Sequence, residues 1–442
     1  MAEIPEAVKR VLETLEAAGY EAWCVGGCVR DSLLGRDPVD WDVTSSARPE
    51  AVLALFGPRA VPTGLPHGTV TVRTEGRPVE VTTFRRDGAY RDHRRPEAVS
   101  FTDSLEEDLR RRDYTVNAMA LSLRGELRDP LGGRADLAVG VLRCVGEPDR
   151  RFGEDALRIL RGLRFAAVLG FSLHPDTADS IHRSRELLRE IAAERIWAEL
   201  SVLLTGPWAV PVLREYPDVL GVFWPEILSM VGFDQRNCHH CYDVWEHTLH
   251  AMESASPELI LRLTMLLHDI GKPVCFTVDR QGSGHFYGHP AAGAQIADRM
   301  LRRLRADRAT REAVVRLIQW HDRDIPRTRQ GIGRAVRLLG ETDLRRLLAV
   351  KRADNLAQAP AYQGMQMEIR RAETILEELM AENACLSLRQ LAVDGRDLIA
   401  LGLRGRQIGA ALDAALQAVI DGNLPNEREA LLAYVRRSGP LI

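Results

Sequence analysis

The chain has 442 residues, 45% of them hydrophobic and 27% charged, with 59 basic against 62 acidic side chains and a formal net charge of −3. At about 100–200 residues per domain this is an ordinary globular chain of roughly three domains, which excludes a disordered protein, a collagen-like one and a bulk polybasic nucleic-acid binder. No apolar run approaches the about 18 residues that span a bilayer, and the opening MAEIPEAVKRVLETLEAAGY is an acidic amphipathic helix, not a signal peptide.

The seven cysteines are scattered and odd in number, so they make no disulfide framework, and a cytoplasmic protein away from membranes is expected. Among the basic residues only Lys9, Lys272 and Lys351 are lysines; the rest are arginine. Codon usage in a GC-rich genome accounts for most of that excess. What it leaves open is which arginines stand where only a planar, bidentate fork serves.

In chain order, the first 145 residues read as mixed α/β. A helix over about 5–18 leads to a short apolar strand at 20–25, a helix at 28–34 and a strand around 39–44. A hairpin follows, in which TVTVRTEG and RPVEVTTF alternate about a Glu-Gly-Arg-Pro turn at 75–78. From about 150 onward the pattern is almost wholly helical: FGEDALRILRGLRFAAVLG sets Leu157, Leu160, Leu163 and Val168 among arginines at period three to four. Pro207, Pro211 and Pro225 then break a run of shorter helices, and eight of the twelve histidines fall between His239 and His321. The last segment is helical again, with a loop at 401–405 and a final helix after NLPNE. The expected organisation is a head (1–145), a helical neck (146–232), a His-rich module (233–358) and a helical tail (359–442).

Three features of the head carry chemistry. VGGCVRDSLLG (25–35) puts Gly26 and Gly27 between a strand and a helix, where backbone N–H groups and the helix N-terminus can face a phosphate, with Arg30 one turn in to reach the same anion. In VDWDVTSS (39–46), residues two apart on a strand share a face, so Asp40 and Asp42 project together. Two carboxylates in a mainly apolar strand call for a cation, and an all-oxygen donor set suits Mg²⁺. Glu80, on the hairpin strand, is a candidate third acid. This is the arrangement two-metal nucleotidyl transfer needs.

These residues carry a resemblance. VGGCVRDSLLGRDPVDWDVTSSARPE, followed in order by HGTVTV (67–72), VEVTTFR (79–85), EEDLRRRDYTVNAMAL (106–121), DPLGG (129–133) and RFGEDALRILRGLRF (151–165), resembles the class II tRNA nucleotidyltransferase/poly(A) polymerase family. The resemblance implies an α+β fold, with a DNA polymerase beta-like head of mixed sheet and helices followed by all-α segments. It implies that Asp40 and Asp42 bind catalytic Mg²⁺, that Gly27 and Arg30 hold the triphosphate, and that Arg112 and Asp113 contact the ribose and phosphates. Glu154, Asp155, Arg158, Arg161 and Arg164 match the motif that reads the incoming base. On one helix Asp155 and Arg158 would share a face and offer acceptors and a donor fork to the edge of C or A. RRDGAYRDHRRPEAVSF (85–101) resembles the loop that CCA-adding members use in switching from C to A, which favours a CCA- or A-adding enzyme over a CC-adding one.

The His-rich module holds NCHHCYDVWEHTLH (237–250), LLHDIGKP (266–273), FYGHP (286–290), WHD (320–322) and KRADN (351–355). Imidazoles and carboxylates so arranged bind divalent transition metals. The order resembles the HD superfamily of metal-dependent phosphohydrolases, which implies His247, His268, Asp269 and Asp354 as core ligands, with His289 and His321 suited to a second metal and Lys272 to a phosphate. Cys238 and Cys241 find no second pair to complete a structural zinc site. The tail, 392–435, resembles the C-terminal body of longer bacterial members, in which neck and tail clamp tRNA. The function implied is addition of the 3′-terminal CCA of tRNA from CTP and ATP. The alternatives are an A-adding or poly(A) polymerase member, or an HD phosphohydrolase using the head as an RNA-binding module. The oligomeric state is not legible.

Overall fold

The computed structural model describes residues 3–87 and 99–438. The sequence expectation for the loop at 85–101 falls largely outside the described residues; within them, β6 and β7 below form its two ends. The chain divides into two compact units, Met1–Leu228 with Arg303–Arg305, and Ser229–Arg302 with Ala306–Ile442. Among the described residues no single helix is long and apolar enough to cross a membrane.

The first unit begins with helix α1 (Glu6–Ala17), which buries Val8, Val11, Leu12 and Leu15 at helical spacing. There follow β1 (Ala22–Val25), α2 (Gly27–Leu33), β2 (Asp42–Ser45), α3 (Pro49–Phe56), β3 (Ala60–Gly64), β4 (Thr69–Arg73), β5 (Pro78–Thr83), β6 (Arg85–Asp87), β7 (Val99–Phe101), α4 (Leu105–Arg110), β8 (Ala120–Leu121) and β9 (Leu127–Arg128). Seven strands form one mixed sheet in the order β3-β4-β5-β2-β1-β8-β9. Strands β4 and β5 are the expected hairpin, with Val72 opposite Val79 and Arg73 opposite Pro78. The parallel pairing of β2 with β5 sets Asp42 beside Glu80. Alternation buries Val70, Val72, Val79 and Val81 on the core face.

Then come α5 (Gly133–Val139), β10 (Val141–Leu142), α6 (Pro148–Glu154), α7 (Leu157–Leu169), β11 (Ser172–Leu173), α8 (Pro175–Ser184), α9 (Ala193–Thr205), α10 (Ala209–Glu215) and α11 (Pro217–Phe223). The helical reading from about 150 onward missed β11, which pairs in parallel with β10 over two residues. It also missed the break between α6 and α7. Helix α7 packs closely on buried Tyr114, whose hydroxyl donates to the Arg158 carbonyl at 2.9 Å. That approach requires glycine at 162, where a Cβ would lie 2.0 Å from the Tyr114 hydroxyl oxygen. Gly162→Ala is therefore expected to destabilise the protein by about 1–3 kcal/mol, as overpacking does, and a thermal melt will read it as a lowered Tm.

The second unit is built from α12 (Val244–Ser254), α13 (Leu259–Leu267), α14 (Lys272–Cys275), the short hairpin β12 (Thr277–Val278) and β13 (Gly284–His285), α15 (His289–Arg303), α16 (Arg308–Trp320), α17 (Arg329–Leu339), α18 (Glu341–Leu356), α19 (Gln366–Ala381), α20 (Gly395–Ala400), α21 (Arg406–Ile420) and α22 (Arg428–Ser438). Its starts are capped as the sequence allows: Asp243, Asp307 and Thr328 accept backbone N–H groups of α12, α16 and α17, and Asp394 forms a capping box on α20. Leu317, Ile332, Leu344 and Leu347 share one apolar core with Leu376, Ala415, Leu416 and Leu431, so the helices after 358 are packed into the His-rich module.

Candidate active site

A cavity of about 750 Å³ in the first unit is lined by Gly26, Gly27, Arg30, Asp40, Asp42, Arg112, Asp113, Asp155, Arg158, Arg161 and Arg164. Its size is in the range of pockets that bury a nucleotide-sized ligand. Eleven of the thirteen head and neck positions singled out by sequence thus meet in one place; Glu80 and Glu154 are not among its walls.

Gly26 ends the turn from β1 into α2 with φ +81°, and a Cβ there would stand 3.3 Å from the Arg112 guanidinium and 3.9 Å from Asp42 Oδ2. The conformation demands glycine, and the bare Cα lets the backbone lie close to both side chains. Asp42 opens β2, whereas Asp40 lies in the loop before it, so the strand begins later than the expected 39–44. Trp41 between them is buried, and the two carboxylates face the cavity together as expected. Burial raises the Asp42 pKa; Arg112 opposes the rise, while the Glu80 and Asp40 charges add to it. A crowded all-oxygen set of this kind fits a hard divalent cation. Glu80 acts on it through charge from the neighbouring strand.

The arginines are held by acids. Arg30 binds both oxygens of Asp31, at 2.9 and 3.0 Å, and donates to Asn117 Oδ1 at 2.7 Å. Asn117 in turn donates to Asp113 at 3.3 Å. Asp113 also takes Arg161 at 2.8 and 2.6 Å. Burial alone would raise the Asp113 pKa, but Arg161 and the Tyr114 N–H hold it down at about 2. Arg164 pairs with Glu199 at 2.7 Å. Arg112 reaches fully buried Asp108 at 3.3 Å, beside Arg111 at 2.8 Å.

The pair expected to read the base is arranged differently from expectation. Asp155 is not on the helix that carries Arg158: it sits in extended backbone (φ −138°, ψ 101°) between α6 and α7. Its Oδ1 accepts the Leu157 N–H at 3.2 Å, and its Oδ2 meets Arg195 of α9 at 3.4 Å. Arg158 donates to Glu154 at 3.1 Å and to the Arg111 carbonyl at 3.0 Å. The two side chains converge on the cavity across a helix break instead of along one helix face, and Glu154 holds Arg158 from behind. Sequence reasoning missed Asp31, Asp108, Asn117, Phe165, Arg195 and Glu199. Asn117 lies within the DYTVNA segment, and Asp31 and Asp108 stand one to four residues from the arginines they hold, so these three were within reach; Arg195 and Glu199 act through contacts distant in sequence.

The second unit holds two groups of ligand atoms, each within 4.8 Å: His247, His268 and Asp354, and Asp269, His289 and His321. Asp269 joins them, with Oδ2 3.4 and 3.3 Å from His247 and His268 and Oδ1 3.5 and 3.9 Å from His289 and His321. Each histidine engages a backbone carbonyl through Nδ1: Ala357 for His247, Met265 for His268, Phe286 for His289 and Ile318 for His321. With Nδ1 on a carbonyl, Nε2 is the atom each ring turns to the site, the usual orientation of a metal-ligating imidazole. His289 Nε2 and His321 Nε2 face each other at 3.2 Å, two acceptors that a cation would reconcile. Burial pushes the His321 pKa down to about 3, which keeps it neutral. Lys272 binds Asp269 at 2.7 Å and Gln235 at 2.8 Å, so its ammonium is already committed. Cys238 and Cys241 are exposed, and Cys238 is met by the Tyr362 hydroxyl at 3.1 Å.

Comparison with known proteins follows the same division. The poly A polymerase head domain matches residues 22–143, the probable RNA- and SrmB-binding site of polymerase A matches 170–217, and the HD domain matches 238–359. The CCA-adding enzyme of Lactiplantibacillus plantarum is 34% identical over 447 aligned positions, covering 98% of this chain and 96% of that protein. The chain belongs to the CCA-adding enzyme family. The CCA-adding enzyme of Geobacillus stearothermophilus is 49% identical over 208 residues, a match that spans 46% of this chain and about half (51%) of that relative's length. Among solved structures, the Bacillus stearothermophilus CCA-adding enzyme in complex with CTP superposes with a TM-score of 0.71 at 29% identity, covering 98% of this chain and 97% of that one. The mixed-sheet head, the helical remainder and the HD module are thus those of a CCA-adding enzyme family member.

Proposed function

We propose that this protein adds or repairs the 3′-terminal CCA of tRNA, using CTP and ATP and releasing pyrophosphate, without a nucleic-acid template. The observation that carries this reading is the convergence of a carboxylate pair, a set of arginines and a carboxylate–guanidinium pair on one cavity. Asp40 and Asp42 are the residues that would hold Mg²⁺, which when bound as a pair activates the attacking 3′-hydroxyl and stabilises the leaving pyrophosphate. Arg30 and Arg112 orient the triphosphate, with the Gly26–Gly27 turn letting it approach the backbone. Asp113 fixes Arg161. Asp155 and Arg158 present acceptors and a planar donor fork to the edge of the incoming base, in place of a template base. Residues 1–145 serve as the head, 146–232 as the neck that carries base recognition, 233–358 as the HD module and 359–442 as a tail that contacts tRNA. Shape and phosphate contacts suffice for A-form RNA, so the net charge of −3 is no obstacle. The seven unpaired cysteines support a reducing, cytoplasmic setting. The reading is tested by incubating tRNA lacking its 3′ end with labelled CTP and ATP: label enters the tRNA and pyrophosphate is released in equal amount, and absence of incorporation overturns it.

A second activity is favoured by the two ligand groups joined by Asp269. The donor set of nitrogen and oxygen suits a divalent transition metal, and the chemistry such a metal supplies is hydrolysis of a phosphate ester. We expect a metal-dependent phosphatase activity on 4-nitrophenyl phosphate or a 2′,3′-cyclic nucleotide that is lost in His268→Ala and retained in Asp40→Ala. An activity that survives His268→Ala, or none with Mn²⁺, Ni²⁺ or Co²⁺, contradicts it.

A further inference from the structure

Phe165 lies on α7, is 7% exposed and lines the nucleotide cavity. Three guanidinium groups stand over this single ring: Arg30 and Arg161 at 5.4 Å from its centroid and Arg164 at 4.3 Å. Cation–π contacts of this kind occur on the order of once per 70–80 residues, and here three fall on one ring. The arginines also meet carboxylates: Arg30 has Asp31, Arg161 has Asp113 and, at 3.8 Å, Glu199, and Arg164 has Glu199. Burial lowers the Arg164 pKa; Glu199 opposes the drop, and the neighbouring Arg161 and Arg30 charges add to it, so the three cations repel one another across the ring.

A triphosphate needs these cations close together and still positive. Carboxylates bring them together by cancelling their charge. An aromatic face attracts cations through its quadrupole and carries no net charge. Phe165 also packs against Tyr114 in a T-shaped pair, with centroids 5.9 Å and planes 82° apart.

We propose that Phe165 is a positioning residue that gathers Arg30, Arg161 and Arg164 on its ring and presents them as one anion-binding group to the phosphates of the incoming nucleotide. The proposal rests on the nucleotidyltransferase reading for its substrate but makes its own claim about anion binding. Because the group serves the phosphates, its loss weakens CTP and ATP alike, which separates it from the base-reading pair.

The test replaces Phe165 with mono-, di- and trifluorinated phenylalanine, which keep the ring's shape while draining its quadrupole, and adds Phe165→Leu as the limit. Two readouts are taken on the full-length protein: KM for CTP and for ATP in tRNA extension, and the Kd for inorganic tripolyphosphate by calorimetry. We expect both constants to rise stepwise with fluorine number, reaching about tenfold in Phe165→Leu, equally for CTP and ATP, with kcat little changed. A fluorine series with unchanged KM and Kd overturns the proposal, because the ring then only fills space. An effect on one nucleotide and not the other also overturns it. Failure of the parent protein to extend tRNA defeats the nucleotidyltransferase reading instead, and the tripolyphosphate series still decides the role of the ring.

Discussion

Asp40→Ala and Asp42→Ala are each expected to cut nucleotide incorporation by about a thousandfold or more, since the carboxylate pair is asked for several kcal/mol of transition-state stabilisation. Single-turnover extension of tRNA measures it. His268→Ala is expected to leave that rate essentially unchanged, because its ring belongs to a different compact unit with its own ligand set. Glu80→Ala is expected to fall in between: Glu80 is the register neighbour of Asp42 and raises its pKa, but it does not line the cavity. A thousandfold loss in His268→Ala, with Asp40→Ala active, would invert the assignment of the two sites.

The second large effect is expected at Arg158. Lysine keeps the positive charge and loses the planar fork, and a bidentate contact to a base edge is worth about 1–3 kcal/mol of discrimination. Arg158→Lys should therefore narrow the ratio of kcat/KM between CTP or ATP and the wrong nucleotides UTP and GTP by roughly five- to a hundredfold, while the affinity for the triphosphate changes little. Asp155→Ala should do the same, and the double variant should lose little more than either single one, as two groups acting on one base edge do. Unchanged ratios in both single variants would remove Asp155 and Arg158 from base selection. Glu154, matched to the same motif, holds Arg158 at 3.1 Å from outside the cavity walls, so Glu154→Gln should weaken selection without touching the cavity.

The head was legible because its signals are local. A glycine turn between strand and helix and a hairpin with a Pro-containing turn each dictate their own backbone, and β1, α2, β4 and β5 stand within a residue or two of expectation, whereas β2 begins only at Asp42. The His-rich module was legible for the same reason, with each ligand on or beside a helix end. What the sequence concealed is what depends on distant partners. The apolar periodicity of 152–170 runs straight through the break at Asp155, because Phe152, Leu157, Leu160 and Leu163 are all buried on either side of it. The clue was chemical rather than periodic: an aspartate after Gly153 can accept a backbone N–H and cap the next helix, as Asp155 does with Leu157. Arg195 and Glu199, one helical turn apart on α9, reach Asp155 and Arg164 only after α7 and α9 have packed, and no local pattern announces that. The bridging of both ligand groups by Asp269 is a tertiary fact of the same sort.

The abundance of arginine takes on a definite meaning at the cavity. Arg30, Arg112, Arg158, Arg161 and Arg164 all line it, and each is held by an acid that fixes its direction: Asp31, Asp108, Glu154, Asp113 and Glu199. Paired charges of this kind vanish from a net count of −3, yet they determine where an anion can bind.

The central claim is that one cavity uses both CTP and ATP to build a product of fixed length. Its most direct test is the product ladder from tRNA ending at the discriminator base and from tRNA ending in CC, each supplied with CTP, ATP or both. The account predicts two added residues with CTP alone on the first substrate, three with both nucleotides, one with ATP alone on the second, and no further growth. Addition of A only, open-ended A tails, or no extension of either tRNA would contradict it.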